Sequence, residues 1–493
     1  MPGKPKSQEN KAPKAVDQKI DPNKRSPVVV VLGHVDHGKT SLLAKIRQAN
    51  LPYEPGNITQ GVGAYEIEHN GRRITFIDTP GHEAFKAMRS RGVKIADIAI
   101  LLVASDDGVQ EQTKEAIKII KDSKIPYVVA FNKIDKGVDL SNVKNQLTAE
   151  GVLLEGYGGN VSNIGVSAKT GENLDELLDL LLLSADMENM AFNNTGNAKG
   201  FILEAKLDPR KGNVVSAILK DGILKTGEYV ICGESSGKIR SLENFLGKKM
   251  TEATPSSPVT ILGFSSLPKI GDEFTASGVP NKAELKKQKT LTTFKRVTKE
   301  AKTNALNIIL KADVSGSLET LSEIIKTIPH PKEISLKIID ESVGEITDGD
   351  ANLAISVDAE IIGFKTLPTK AADNLIRDHR IKCFHSEIIY DLLKHLEERF
   401  KLLADSKKGI LEVLAIFLAK GKEQTIGGKV IMGEISNNSS LEIWRKEEKI
   451  GDLKIVNLQQ NRKDAMKVVE GLECGMLVLS DKELKIGDQL ILR

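Results

Sequence analysis

The octapeptide Gly33-His34-Val35-Asp36-His37-Gly38-Lys39-Thr40 constrains this chain more than any other feature, because it lies between a β-rich run, Val28–Leu32, and a helical pattern, Thr40–Gln48. It fits GxxxxGK[ST], whose mechanics require a strand before it and a helix after it. Glycines let the backbone wrap an anion, and the free amides of the loop and helix N-terminus offer it positive dipole. Lys39 is then placed to neutralise β- and γ-phosphates, and the Thr40 hydroxyl to ligand Mg²⁺. The runs Ile74–Ile77, Ile98–Val103, Tyr127–Phe131 and Ile164–Val166 alternate with helical patterns such as Gln112–Asp122, and Asn173–Ser184 closes the series. This alternation predicts βαβ units and a mostly parallel sheet covered on both faces.

Three further motifs follow predicted strands. Asp78-Thr79-Pro80-Gly81 ends the run Ile74–Ile77, where a carboxylate faces the metal and Gly81 offers its amide to a γ-phosphate. Asn132-Lys133-Ile134-Asp135 and Ser167-Ala168-Lys169 end the runs Tyr127–Phe131 and Ile164–Val166, at the carboxyl edge where open α/β sheets bind ligands. Asp135 is suited to accept from guanine N1–H and its exocyclic amine; adenine has neither donor on that edge, so the carboxylate would stay unpaired. Thr59, in a polar segment rich in glycine and proline, is placed as a mobile threonine that ligands Mg²⁺ only when the γ-phosphate is present, the alternative being an ordinary loop residue. His82, directly after Asp-Thr-Pro-Gly, is a candidate to orient the attacking water, since phosphoryl transfer needs mainly positioning and charge stabilisation. Its alternative is a helix-opening histidine with no catalytic task. His34 and His37 serve the geometry of the phosphate loop.

At 493 residues the chain exceeds what one hydrophobic core holds, so several domains are expected. Residues 1–26 read as a disordered basic tail, and 27–190 as the P-loop domain. Short strands with glycine turns predict a β-barrel over 198–285, ahead of a charged connector at Asn281–Lys302. Residues 300–385 read as a three-layer α/β domain, with strands including Leu306–Ala312, Ala351–Ser356 and Ile361–Phe364 and helices Ser317–Thr327 and Ala371–Asp378. Helical spacing with a serine cap predicts one continuous helix over 386–406, about 30 Å long and able to hold two domains apart. Residues 407–493 return to strands, predicting a C-terminal β-barrel. The net charge of +3 leaves any RNA contact local. Cys232, Cys383 and Cys474 are too few and too far apart for a disulfide framework or zinc site, which fits a reducing, cytoplasmic setting. No apolar run approaches the roughly 20 residues of a membrane span.

GHVDHGKT with DTPGHEAF, NKID and SAK resembles the translational GTPases, and further segments resemble initiation factor two rather than elongation factors. These are ITQGVGAYEI (Ile58–Ile67), where Gly61 replaces a usual histidine, the barrel segments Gly200–Glu228 and Pro255–Phe264, and KADVSGSLETL, VGEITDGDANLA and IIGFKT (Lys311–Leu321, Val343–Ala354, Ile361–Thr366). The resemblance implies a monomeric, ribosome-stimulated GTPase taking GTP/GDP and Mg²⁺. It further implies that the factor captures formylmethionyl initiator tRNA through the last barrel on the small ribosomal subunit. Promotion of joining to the large subunit and contact with other initiation factors follow from the same resemblance. It maps the family's glycine-cysteine element onto Glu473-Cys474-Gly475, whereas Lys429 stands where a second cysteine is usual and the basic loop reads Leu458–Asp464. Arg462 and Lys463 are the phosphate candidates there. The alternative for Cys474 is a small buried apolar side chain.

Two other readings remain open: a ribosome-binding scaffold in which hydrolysis is unimportant, and a tRNA-delivering elongation factor, which Lys311–Thr366 and the long helix oppose.

Overall fold

A computed structural model of the protein describes residues 24–47, 63–81, 85–188, 190–278, 305–329, 334–405, 409–446 and 448–492. Residues 1–23 of the N-terminal tail, Thr59, His82 and the whole Asn281–Lys302 connector lie outside the described residues. Contacts divide the chain into two compact units.

In the first unit a six-stranded sheet runs in the order β2-β3-β1-β4-β5-β6, with β1 Val28–Gly33, β2 Gly63–His69, β3 Arg72–Asp78, β4 Ile98–Ala104, β5 Tyr127–Asn132 and β6 Asn163–Gly165. All neighbours are parallel except the β2–β3 hairpin. Helices α1 Lys39–Arg47, α2 Lys86–Ile95, α3 Glu111–Ser123, α4 Ser141–Ala149 and α5 Leu174–Met187 complete the α/β domain. Every residue of β1 and β4 is buried, which is why these strands read as unbroken apolar runs rather than as alternation. Val29 and Val31 join one core with Leu42, Leu43, Leu177 and Leu181, while Val28, Val30 and Leu32 join another with Ile117, Ile120, Val143 and Leu147. Successive residues thus feed opposite faces of the sheet. The order reverses at β1, with β3 on one side and β4 on the other, so the chain leaving β1 enters the crevice of a topological switch point.

The first barrel is antiparallel and closed. The strand Tyr229–Cys232 pairs both with Glu273–Ser277 and with Ser235–Asn244, which removes a free sheet edge. Leu203 and Ile218 of this barrel pack in the same core as β1, and Phe201 packs against it. An ionic clamp strengthens the junction: Arg25 donates to both oxygens of Asp97 at 2.6 Å, and Lys220 of the barrel donates to the same carboxylate at 2.7 Å. Burial alone pushes the Asp97 carboxyl up, but Arg25 and Lys220 outweigh it and hold it below its ordinary value. Asp97→Asn is therefore expected to cost about 3–5 kcal/mol at neutral pH, because two largely buried cations, with side chains 12% and 17% exposed, lose their counter-ion. A carboxyl depressed by folding stabilises above its unfolded value and loses that contribution as pH falls through the folded one. Urea titrations should accordingly show the gap between parent and variant closing below about pH 4.

The second unit contains most of a smaller α/β domain whose sheet order is Ser335–Val343, Ala305–Ala312, Ala359–Phe364, Cys383–Ser386. The expected strand Ala351–Ser356 is instead part of the helix Asp348–Val357. The Thr347 hydroxyl accepts from the Asp350 amide, and the Asp350 carboxylate accepts from the Thr347 amide at 2.7 Å, a capping box that starts a helix. Ala351 and Ala354 then face the core at helical spacing. The strand Cys383–Ser386, not expected from sequence, adds in parallel to Ala359–Phe364.

The helix expected from Ser386 begins at Ile389 and runs to Asp405, because Ser386 is still in the sheet and its hydroxyl accepts from the Ile388 amide. Its 17 residues span about 26 Å. It is not a bare spacer: Ile389, Leu392, Leu396 and Phe400 are buried along one face, and Arg399 forks onto Glu360 of the sheet. Beyond it, the C-terminal barrel repeats the first one strand for strand. Ser440–Arg445 pairs with both Gln489–Leu492 and Glu448–Gln460, in the same places as the closing pairs above.

Candidate nucleotide site

Because β1, β3, β5 and β6 share one polarity, apart from strand direction in the β2 hairpin, their following loops gather at one rim. The chain leaves β1 through a short 3-10 turn, Val35–His37, and Gly38 at φ +88°. A Cβ on Gly38 would lie 2.5 Å from Asn132 Nδ2, so neither backbone angle nor space admits a side chain there. Helix α1 opens at Lys39, whose buried ammonium turns back into the loop and donates to the carbonyls of Gly33 at 2.8 Å and His34 at 2.5 Å. Burial pushes its pKa down to about 7 against the opposing pull of Asp78.

Asn132 ties the rim together. Its Nδ2 donates to the His37 carbonyl at 2.8 Å, and its Oδ1 accepts from the Ala168 amide at 2.9 Å. The phosphate loop and the loop after β6 are thereby fixed to one side chain at the end of β5. Ser167 donates to Asp135 Oδ1 at 2.7 Å, which points a carboxylate from an otherwise exposed residue along the same rim. Lys133 adopts φ +65°, its carbonyl accepts from the Ser105 hydroxyl, and its ammonium lies 3.4 Å from Asp106. Lys169 is exposed beside them, and Asp36 is exposed on the phosphate loop.

His37 is fully buried between two acceptors, the Leu102 carbonyl and Asp107 Oδ2, each at 3.2 Å, and burial lowers its pKa. It is a wall of the loop. His34 carries a buried Nδ1 with no hydrogen-bond partner among the described residues. A backbone cradle, a desolvated cation and an orphaned ring nitrogen together fit a polyanionic ligand, which would supply the missing partners. Gly81 closes the opposite side: a Cβ there would meet Lys39 Nζ at 2.3 Å. Thr79 is pinned by its hydroxyl to the Val31 carbonyl at 3.1 Å. Thr40 and Asp78, at the ends of the same two segments, are the described candidates to hold Mg²⁺.

Several residues of this rim carried no motif. Gln112 accepts from the Val35 amide at 3.0 Å, Asp106 pairs with Lys133 and Lys136, and Arg89 reaches Pro80. In sequence Arg89 looks the same as Arg91 and Lys94 on its helix; only its full burial separates it.

In the C-terminal barrel Cys474 takes the second of its two readings, a small buried side chain. Cys474 lies in the barrel core with Leu411, Val413 and Ile426, so its side chain is not on the outer surface. Its neighbours are: Ala415, Gly427, Gly475 and Gln459 are successive cross-strand partners, and Phe417, 70% exposed, stands against Gly427. Lys429 is exposed and pairs in register with Glu412 and Glu473. Arg462 and Lys463 project at the turn after Glu448–Gln460, where Asn461 and Arg462 take positive φ. No helix among the described residues is long and apolar enough to cross a membrane.

Comparison with known proteins adds the following. Residues 54–186 match the family described as Elongation factor Tu GTP binding domain, 197–277 match Elongation factor G domain 2, and 280–397 match Translation-initiation factor 2. Proteins named Translation initiation factor IF-2 are similar over nearly the whole chain. The one from Aquifex aeolicus is 38% identical over 94% of this chain and 60% of its own length. That from Caldanaerobacter subterraneus subsp. tengcongensis is 38% identical over 96% of this chain and 70% of its own. The chain therefore spans about 60–70% of the length of these two relatives. Among solved structures, GDP-bound aIF5B from Aeropyrum pernix aligns over 95% of this chain and 92% of its own, with a TM-score of 0.44 and 24% identity.

Proposed function

Since the chain belongs to the translation initiation factor IF-2 family, we propose that it is a GTP-hydrolysing switch that works in the initiation of protein synthesis. The observation that carries the reading is the pair of hydrogen bonds at Asn132, donated to the His37 carbonyl and accepted from the Ala168 amide, which joins the phosphate loop to the loop beside Asp135 and Ser167. One ligand with phosphates at one end and a purine at the other matches that spacing of functions. Lys39 and the amides of residues 34–40 hold the β- and γ-phosphates, the Gly81 amide meets the γ-phosphate, and Asp135 reads guanine. Bound Mg²⁺, held by Thr40, Asp78 and in the triphosphate state Thr59, would neutralise charge on the phosphate oxygens. His82 orients water for attack.

Fluorescent GDP and GTP titrated under magnesium, with ATP as competitor, test the pocket: equal competition by ATP refutes guanine selection. His82→Ala is expected to leave GTP affinity intact and slow ribosome-stimulated hydrolysis by about 10²-fold, the scale of removing one positioned transition-state group. Single-turnover phosphate release with and without ribosomes measures it, and unchanged turnover removes His82 from the mechanism.

In this reading the factor acts as a cytoplasmic monomer that brings formylmethionyl initiator tRNA to the small subunit, works beside other initiation factors, promotes joining of the large subunit and then hydrolyses GTP. The row of small residues Ala415, Gly427 and Gly475 beside exposed Phe417 supports the last barrel as the surface for a small aminoacyl group, with Arg462 and Lys463 near enough in sequence to serve the RNA backbone. Competition between charged initiator and elongator tRNAs decides among the readings: preference for the formylated initiator supports this one, and preference for elongators supports an elongation factor. Hydrolysis that ribosomes fail to accelerate favours a scaffold.

A further inference from the structure

The Gly81 amide cannot be aimed independently of the Pro80 carbonyl. They belong to one planar trans peptide, so C=O and N–H point in opposite directions and rotate together. Whatever holds the carbonyl therefore sets where the amide points.

The group that holds it is Arg89. This side chain from α2 is 1% exposed, and its Nη1 donates to the Pro80 carbonyl at 3.2 Å. Its Nη2 donates to both oxygens of Glu115 on α3, at 2.9 and 2.8 Å. One rigid guanidinium thus connects the turn after β3 with two helices, and its planar fork fixes the angle between the two contacts. Gly81 borders the phosphate loop, because a Cβ there would meet Lys39 Nζ at 2.3 Å and the Cα of Val35 at 3.2 Å. With the carbonyl drawn toward buried Arg89, the amide of the same peptide is turned away from that side chain.

We propose that Arg89, buttressed by Glu115, is a positioning residue that orients the Pro80–Gly81 peptide so that its N–H recognises a terminal γ-phosphate, making the Arg89–Glu115 pair a determinant of triphosphate over diphosphate preference. The proposal rests on the nucleotide reading above and assigns it a residue outside all four motifs. Arg89 touches no nucleotide in this scheme. It acts only through the peptide it holds, so its effect is confined to ligands that reach Gly81.

The test is Arg89→Lys, which keeps a positive charge near Lys39 but replaces the planar fork, whose two nitrogens serve the carbonyl and the carboxylate separately, with a single nitrogen. Affinities for GDP and for guanosine 5′-(β,γ-imido)triphosphate are measured with magnesium in the full chain. The expected result is unchanged GDP affinity with a fall of about tenfold for the triphosphate, the size of one hydrogen bond to a charged group. Glu115→Gln should move the ratio in the same direction by less, because it weakens the buttress and leaves Arg89 in place. A merely structural Arg89 would weaken both ligands alike. If both variants keep the parent's triphosphate-to-diphosphate ratio, whether both affinities fall or neither does, the proposal is overturned. Arg89→Met with a melting curve guards against misfolding, since a folded variant with an unchanged ratio also overturns it. A parent protein that binds neither ligand would refute the nucleotide reading instead.

Discussion

Lys39→Ala is expected to reduce affinity for GDP and GTP by about 10³-fold, while the unliganded protein melts close to the parent. The two halves of this outcome have one cause. In the structure the ammonium is buried against two backbone carbonyls, and burial has pushed its pKa down to about 7, so its charge is costly until an anion arrives. Removing it removes charge-assisted bonds worth about 1.5–3 kcal/mol each to the phosphates, and two such bonds account for about 4 kcal/mol. The same deletion relieves the free protein of a desolvated cation, which offsets the lost bonds to Gly33 and His34. Isothermal titration paired with a melting curve measures both. A large fall in stability with unchanged affinity would make Lys39 a loop brace and no phosphate ligand.

The second large effect is a change of base. Asp135→Asn is expected to weaken guanine nucleotides by about 10²–10⁴-fold and to favour xanthine nucleotides, whose carbonyl replaces the exocyclic amine. The carboxylate accepts two bonds from guanine; an amide offers one acceptor and one donor, which suits a ring edge with one donor and one acceptor. The structure makes this a test of the base and not of the loop, because Asp135 is exposed except for its bond from Ser167, while the brace between loops is Asn132. Competition of GDP against XDP measures it. Retained strict guanine selection would refute the role assigned to Asp135. A uniform loss for both bases would point to collapse of the rim, and Ser167→Ala distinguishes that case by removing the support alone.

What could be read along the chain was local in its physics. A P-loop is eight consecutive residues whose glycines and lysine state their own geometry, and the runs before Asp78, Asn132 and Ser167 announce strands that end at one rim. Unbroken apolar runs in β1 and β4 required burial on both faces, and glycine turns at short intervals required barrels. The order of domains and the identity of the nucleotide motifs followed from these patterns.

What tertiary structure alone decided depended on partners distant in sequence. Ala351–Ser356 reads equally well as a strand or a helix until the Thr347–Asp350 box settles it, since a short apolar run carries no period of its own. Cys474 alternates with Gly475 on one strand, and only barrel closure determines that the thiol enters the core while the glycine faces outward. Asn132 is one asparagine in a motif until His37 and Ala168 arrive on either side, from 95 and 36 residues away. Arg89 is an unremarked helical arginine until folding buries it between Pro80 and Glu115. Sequence fixes backbone conformations that a few neighbouring residues can enforce. Which side chains are desolvated together is set only when sheets close and helices pack, because burial is a property of the assembled surface and not of any segment.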